Sequence, residues 1–324
     1  MTSKRLLSSL SLGISICVIL IPSSSLLAQF SFTDIKRQTN NEISFTLTAP
    51  IGRSYIIETS TNADAQTWNG FLTFPTNTTT SLQHTDSAAS FLPTRYYRAT
   101  RVETTNVLSG DHLTTTNSGD VIMRPVDHAG LALQWSNVVI YSDPASGTWN
   151  NLPKPDIILI THNHSDHYQP TVLAGVWKFG STVFVSPFSL PSFPTNTVVL
   201  TEGNSTNILG VNIQAVAAYN AYHTRGQCNG YVLTIGGKRI YISGDTGNQP
   251  EIRALPNIDV AFLCINLPYT MTAGEATNCI RAMQPKVVYP YHYRDQSGAI
   301  TNAATFKRWL GLDLGTEVRL RKWY

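Results

Sequence analysis

Residues 156–168 read Asp-Ile-Ile-Leu-Ile-Thr-His-Asn-His-Ser-Asp-His-Tyr, and this run constrains the chain more than any other. Residues 157–160 are consecutive apolar side chains, the pattern of a strand buried on both faces. In extended backbone, side chains two apart share a face, so His162 and His164 are placed to hold one ion. Asp166 and His167 follow the turn and are placed to reach a second ion beside it. Pro170, then Val172, Leu173, Val176 and Trp177, predict a helix packing back on the sheet. One His-x-His would suit a polar loop. Three imidazoles and a carboxylate directly after a buried strand are costly to gather without a ligand. Zinc is the expected ion, with manganese or iron also suited to such donors.

More polar residues fall where predicted strands stop. Residues 211–218 alternate and run into Tyr219-Asn220-Ala221-Tyr222-His223. Residues 231–235 and 239–243 read as a hairpin turning at Gly236-Gly237. It delivers Gly244-Asp245-Thr246, where one carboxylate is placed to bridge two ions. Residues 258–264 predict a buried strand, and Thr272 with Glu275 makes a capping box for a helix over 273–283. Residues 287–289 predict a strand that ends at His292. Earlier, 121–124, 131–135 and 138–141 predict strands, with Asp127-His128-Ala129-Gly130 in a loop and Ser142-Asp143-Pro144 at a strand end. A helix over 305–310 and an alternating strand over 316–324 complete the prediction.

The His-x-His-x-Asp-His run resembles the motif of the metallo-β-lactamase superfamily, and the resemblance covers about residues 120–324. Ala218-Tyr219-Asn220, the hairpin into Gly244-Asp245-Thr246, and Pro285-Lys286-Val287-Val288 leading to His292 are similar to one branch of it. That branch holds ascorbate-6-phosphate lactonase-like and N-acylphosphatidylethanolamine phospholipase D-like hydrolases. The resemblance implies an α/β (α+β) domain, an αββα sandwich with its site at one edge of two sheets. It implies that His162, His164 and His223 hold one divalent metal, that Asp166, His167 and His292 hold another, and that Asp245 bridges. It also implies that Asp143 supports a metal-binding histidine from behind.

The implied activity is hydrolysis of an ester, lactone or phosphodiester by a hydroxide held between two ions, with Asp166 and Asp245 as the catalytic carboxylates. A phosphodiesterase or nuclease of the same fold, and a non-catalytic metal-binding module, are the alternatives. The candidate walls His128, Tyr219, Asn220 and 267–269 contain no Lys or Arg. That favours a small neutral ester or lactone, or a singly charged diester, over a phosphate monoester.

The rest of the chain bounds the setting. Residues 1–28 carry Lys4 and Arg5, an apolar stretch over 10–21 and small residues before Gln29, the pattern of a secretory signal. A secreted or periplasmic protein with no stable membrane span after cleavage is expected. Of 324 residues, 23 are basic and 20 acidic, without a basic run or stripe, so nucleic acid is not favoured as a partner. Residues 30–103 read as short strands at 42–48, 55–58, 68–74, 81–84 and 95–100. They resemble the fibronectin- or immunoglobulin-like β-sandwich modules attached to secreted bacterial proteins, and His84 and Asp86 fall in an expected exposed turn. Residues 104–117, rich in Thr, Asn and Ser, read as a linker to the metal-binding domain at 118–324. Cys228, Cys264 and Cys279 lack Cys-x-x-Cys spacing and read as small apolar packing residues.

Overall fold

The computed structural model describes residues 16–18, 31–49, 54–62, 68–74, 80–92, 94–102, 108–116, 119–188, 196–294, 298–300, 302–311 and 315–324. The expected signal at 1–28 lies outside these residues except for three. The chain divides into two compact units, Met1–Thr114 and Thr115–Tyr324. Among the described residues no helix is long and apolar enough to cross a membrane.

The first unit is all-β. Its strands are β1 (Ile16–Val18), β2 (Ser31–Arg37), β3 (Ile43–Thr48), β4 (Ser54–Ser60), β5 (Asn69–Phe74), β6 (Ser81–Asp86), β7 (Arg95–Val102) and β8 (Gly110–Leu113). They form the ladders β2-β3-β6 and β1-β7-β4-β5-β8. Alternation along β3 and β4 turns Ile43, Phe45, Leu47, Tyr55 and Ile57 inward, where they meet Phe71 and Tyr97 in one core. Each such buried side chain contributes about 2 kcal/mol of apolar burial.

Two sequence expectations need correction here. Residues 110–113, read as linker, form β8 and pair with β5. Asp86 is not in an exposed turn: it is fully buried, accepting from Arg95 Nε at 2.9 Å and the Tyr97 hydroxyl at 2.6 Å. A buried carboxylate requires such partners. The His84 ring packs edge-on against Phe71 with centroids 5.3 Å apart.

The second unit has two sheets. The first runs β9 (Val121–Asp127), β10 (Gly130–Trp135), β11 (Val138–Ser142), β12 (Ile157–Ile160), β13 (Thr182–Val185) and β14 (Asn196–Val199). It is antiparallel up to β11 and parallel beyond. Helix α1 (Pro170–Val176) forms the crossover from β12 to β13, with Pro170 at its first position. The other sheet runs β15 (Ser205–Ile208), β16 (Val211–Ala218), β17 (Cys228–Ile235), β18 (Lys238–Ile242), β19 (Val260–Cys264), β20 (Val287–Tyr291) and β21 (Glu317–Val318). Helices α2 (Pro250–Arg253) and α3 (Ala273–Met283) lie in its crossovers, and α4 (Asn302–Leu310) packs beside α3. This is the αββα arrangement.

Every residue of β12, β13, β19 and β20 is buried, which is why these parallel strands read as unbroken apolar runs. The sheets join near their strand ends. The Tyr231 hydroxyl donates to the Ile160 carbonyl at 2.9 Å, and Asn229 N–H to the Thr161 carbonyl at 2.9 Å. Gly244 has φ +57°, and a Cβ there would lie 2.8 Å from the Asn229 carbonyl oxygen and 3.1 Å from Thr161 Cβ. Only glycine lets the end of β18 approach the end of β12 this closely. At the β17–β18 turn, Gly236 and Gly237 have φ +54° and +79°, as a two-residue hairpin requires.

The predicted strand over 316–324 is shorter than the alternation suggests. Only Glu317–Val318 pairs with β20. After Arg319 the backbone leaves the ladder, and Trp323 is buried beside Phe262 and Tyr291.

The capping box of α3 is present: Thr272 Oγ1 accepts from Glu275 N–H at 3.1 Å, and Glu275 Oε2 accepts from Thr272 N–H at 2.9 Å. Thr272→Ala is expected to cost about 1 kcal/mol, with Thr272→Ser recovering most of it. Urea denaturation followed by circular dichroism measures both; equal midpoints for all three proteins would contradict the assignment.

Candidate metal centre

The site is built from the places where strands of both sheets stop. Asp143 follows β11, residues 161–167 follow β12, His223 follows β16, Asp245 follows β18 and His292 follows β20. Strands of both sheets therefore bring their polar ends to one locus. His128, Asp143 and His292 adopt φ between 44° and 49°. Side chains rarely hold that left-handed conformation, and it clusters at functional sites.

Three groups form where ligating atoms converge within 4.8 Å: His162, His164 and His223; His162, His167 and Asp245; and His128, Asp166 and His292. Nε2 of His162 lies 3.2 Å from Nδ1 of His164, which lies 3.3 Å from Nε2 of His223. Nε2 of His167 and Nε2 of His292 are 3.0 Å apart. Oδ1 of Asp245 is buried and makes no hydrogen bond, although Nε2 of His167 and of His292 face it at 3.3 and 3.5 Å. Asp166 Oδ2 lies 3.3 Å from His292 Nε2.

The other ring nitrogens explain this inward orientation. Nδ1 of His162 meets Thr161 Oγ1 at 3.1 Å, and Nδ1 of His167 meets Asp143 Oδ2 at 2.8 Å. Nδ1 of His223 meets Asn220 Oδ1 at 3.0 Å, and Nδ1 of His128 meets the Tyr324 hydroxyl at 2.9 Å. Nδ1 of His292 lies 3.0 Å from the Asn266 amide, whose buried Oδ1 is otherwise unpartnered. A half-turn of that amide lets Oδ1 accept from Nδ1–H, since amide oxygen and nitrogen are exchangeable by assignment. With Nδ1 of His162, His167, His223 and His292 engaged outward, their Nε2 atoms point into the cluster, where His164 presents Nδ1 instead and His128 turns Nε2 to Asp166. Ring nitrogens converging on one another beside an orphaned carboxylate oxygen fit a divalent cation, which would take the place of any protons between them.

Asp143 is fully buried. Besides His167 it accepts from Thr161 N–H at 2.8 Å and Thr161 Oγ1 at 2.7 Å. One carboxylate thus fixes the exit of β12 and the tautomer of His167.

Charges in the metal-free site follow from this packing. Burial works against the Asp245 carboxylate, yet His292 and His167 hold the group well below the ordinary range. Burial likewise opposes Asp166, and hydrogen bonds from His128 and His292 hold it far lower still. Burial pushes His162, His223 and His128 down, so they are neutral near pH 7. Burial also works against a charge on His167, but Asp245 and Asp143 outweigh it and raise the group well above its usual value. The thiols of Cys228, Cys264 and Cys279 are buried and pushed up to about 12, and they take no part in the convergent groups.

All seven residues expected as ligands meet in this cluster, and His128 joins them through Asp166 at 3.1 Å. Tyr219 lies outside it: its hydroxyl meets Glu251 at 3.1 Å, and Arg225 sits over its ring. Asn220 reaches the site through His223. Thr161, Asn266 and Tyr324 are site residues that the sequence reading missed. A Thr before the histidine run was a signal that could have been used; the other two contacts are long-range and leave no local pattern.

Two clefts adjoin the cluster. One of about 520 Å³ is lined by Asp127, His128, Ser165, Asp166, Arg294 and Tyr324 among others. The other, of about 600 Å³, includes Tyr219, Asn220, Tyr222, Gln249 and Tyr269. Arg294 corrects the expectation of walls without a cation, because residue 294 follows the last ligand rather than any predicted wall.

Such a fold with such a donor cluster defines a metal-dependent hydrolase of the metallo-β-lactamase fold. The profile of the beta-lactamase superfamily domain matches residues 108–292, and the chain belongs to that family. It is 33% identical over 162 residues to a UPF0173 metal-dependent hydrolase of Symbiobacterium thermophilum, covering 47% of this chain and 72% of the relative. It is 32% identical over 152 residues to the counterpart from Thermoplasma acidophilum, covering 43% and 66%. The crystal structure of a putative metal-dependent hydrolase from Parabacteroides distasonis superimposes with a TM-score of 0.59 at 35% identity, over 66% of this chain and 99% of that one.

Two outcomes test the centre. Asp143→Ala strands buried donors on Thr161 and His167, and is expected to cost about 1–3 kcal/mol of stability and to lower metal content. Elemental analysis at wild-type levels would contradict that role. The metal-free protein is also expected to weaken on acidification. Three histidines have folded pKa values below the unfolded value of about 6.5. Their stabilisation is complete above that pH and is lost as pH falls through the folded values. His167, with a raised value, contributes the opposite trend above about pH 6.5, and it is one group against three. Below about pH 4, Asp245 and Asp166 add to the acid loss. Urea midpoints in chelator between pH 7.5 and 5 measure the effect, and a flat profile would contradict it.

Proposed function

We propose that this chain is an exported hydrolase of small esters, lactones or phosphodiesters that works with two divalent ions, zinc being the expected metal. The observation that carries the reading is the convergence of five imidazoles and two carboxylates, with Nε2 of His162, His167, His223 and His292 and Nδ1 of His164 turned toward one another. His162, His164 and His223 would hold one ion, Asp166, His167 and His292 the other, and Asp245 would span both. Bound there, such ions would lower the pKa of a water between them and polarise a substrate carbonyl or phosphoryl oxygen.

The chain's own residues do the rest. Asp245 presents one oxygen toward His167 and His292 and the other toward His223, at 3.6 Å, so a single carboxylate reaches both groups. Asp166 has a side chain 43% exposed, beside the cleft. A carboxyl held as low as this one is a ligand before it is a base. His128, neutral and hydrogen-bonded to Asp166, keeps that carboxylate oriented. Asn220 and Asn266 hold His223 and His292 in the tautomer that ligation needs. Export rests on the leader-like composition of residues 1–28.

The purified, metal-loaded protein is expected to hydrolyse model lactones or bis(p-nitrophenyl) phosphate faster than p-nitrophenyl phosphate. The double variant His162→Ala/His164→Ala should lose bound metal together with this activity, and Asp245→Ala should lower activity by about 100-fold or more. Full metal content in the double variant, or preferential turnover of the monoester, would overturn the reading.

A further inference from the structure

The cleft beside Asp166 contains a cation that metal binding does not employ. Arg294 is exposed, and its guanidinium lies 3.9 Å from the centroid of the Tyr324 ring. Among the described residues it forms no ion pair; the other arginine near the site, Arg225, is already engaged by Glu202 and Glu251. The platform beneath Arg294 is fixed. The Tyr324 hydroxyl accepts from the backbone N–H of Arg294 at 3.1 Å and meets His128 Nδ1 at 2.9 Å, while His128 Nε2 meets Asp166. Tyr324 also packs edge-on against Tyr293, with centroids 5.1 Å apart. A guanidinium stacked on an aromatic face keeps its hydrogen-bonding edge available, and a planar fork of donors matches a carboxylate or a phosphoryl group.

Asp127 lines the same cleft and, among the described residues, has no ion-pair partner. A substrate with one negative charge meets Arg294. A second charge would face Asp127, with no lysine and no other arginine among the residues lining the cleft.

We propose that Arg294 is the specificity-determining residue of the site, selecting esters or phosphodiesters that carry a single negative charge. The charged group rests on the Arg294 fork, and the scissile bond then lies toward Asp166 and His292. The selection rests on the hydrolytic reading above, but it has a binding consequence that survives without turnover.

The test compares p-nitrophenyl hemisuccinate with neutral p-nitrophenyl butyrate, two esters sharing an acyl chain length and a leaving group. Metal-loaded wild type, Arg294→Gln and Arg294→Lys are measured, with metal content recorded for each. In Arg294→Gln the ratio of kcat/KM for the charged over the neutral ester is expected to fall about tenfold or more, mostly through KM, with Arg294→Lys retaining part of it. A merely structural role would lower both esters together and leave the ratio unchanged, which would overturn the proposal. Calorimetric titration with monomethyl succinate reads the same residue without catalysis. Arg294→Gln should bind it about tenfold more weakly. If wild type turns over neither ester, nor the lactones and bis(p-nitrophenyl) phosphate, the hydrolytic reading fails; whenever both esters are inert this titration decides: weaker binding by Arg294→Gln sustains anion selection, while equal or absent binding overturns it.

Discussion

The buried carboxylate of Asp143 holds the two halves of the site in register. Its oxygens take the Thr161 N–H, the Thr161 hydroxyl and the His167 Nδ1–H. A charge with no solvent contact is tolerated only where every lone pair is used. That requirement ties the end of β11 to the end of β12 and leaves one rotamer and one tautomer for His167. The histidine run begins immediately after this anchor. The Thr161 carbonyl in turn receives the Asn229 N–H from the other sheet. One small network thus positions both the ligands and the strand ends that carry them.

From that point outward the same device is repeated with neutral partners. Asn220 orders His223 and Asn266 orders His292, each from a loop just beyond a strand. The helices contribute no ligand. They cover the sheets and carry the chain back so that successive parallel strands end at the same edge. This fits a general rule for parallel sheets, in which ligands collect outside the carboxyl ends of strands.

Much of this was legible in the sequence, and the reasons are physical. The apolar runs of β12 and β19 announce strands buried on both faces, and Gly236-Gly237 announces its own turn. The His-x-His-x-Asp-His run is local, so its spacing alone places donors on either side of a turn. His223, Asp245 and His292 could be found because each follows a strand. Tyr324 and Arg294 could not: they meet His128 through a path that only the folded backbone defines. The strand expected over 316–324 was overcalled because alternation there records the burial of Val318 and Trp323 rather than a continuous ladder. Strand β8 was missed because Gly110–Leu113 has almost no apolar pattern, and it is held by its pairing with β5.

The spread of the donors along the chain has a bearing on how the protein comes to be whole. His162 and His164 are neighbours in sequence and can associate early, whereas Asp245 and His292 arrive only after the second sheet has been built. A cation held by both groups would act as a clasp between segments that are far apart in the chain, closing loops whose entropy the polypeptide would otherwise retain. Occupancy of the centre then reports that β12, β18 and β20 have met, and a partly folded chain with only its first histidines in place would hold its ion weakly. The centre would then serve as a proof of assembly as well as a place for chemistry.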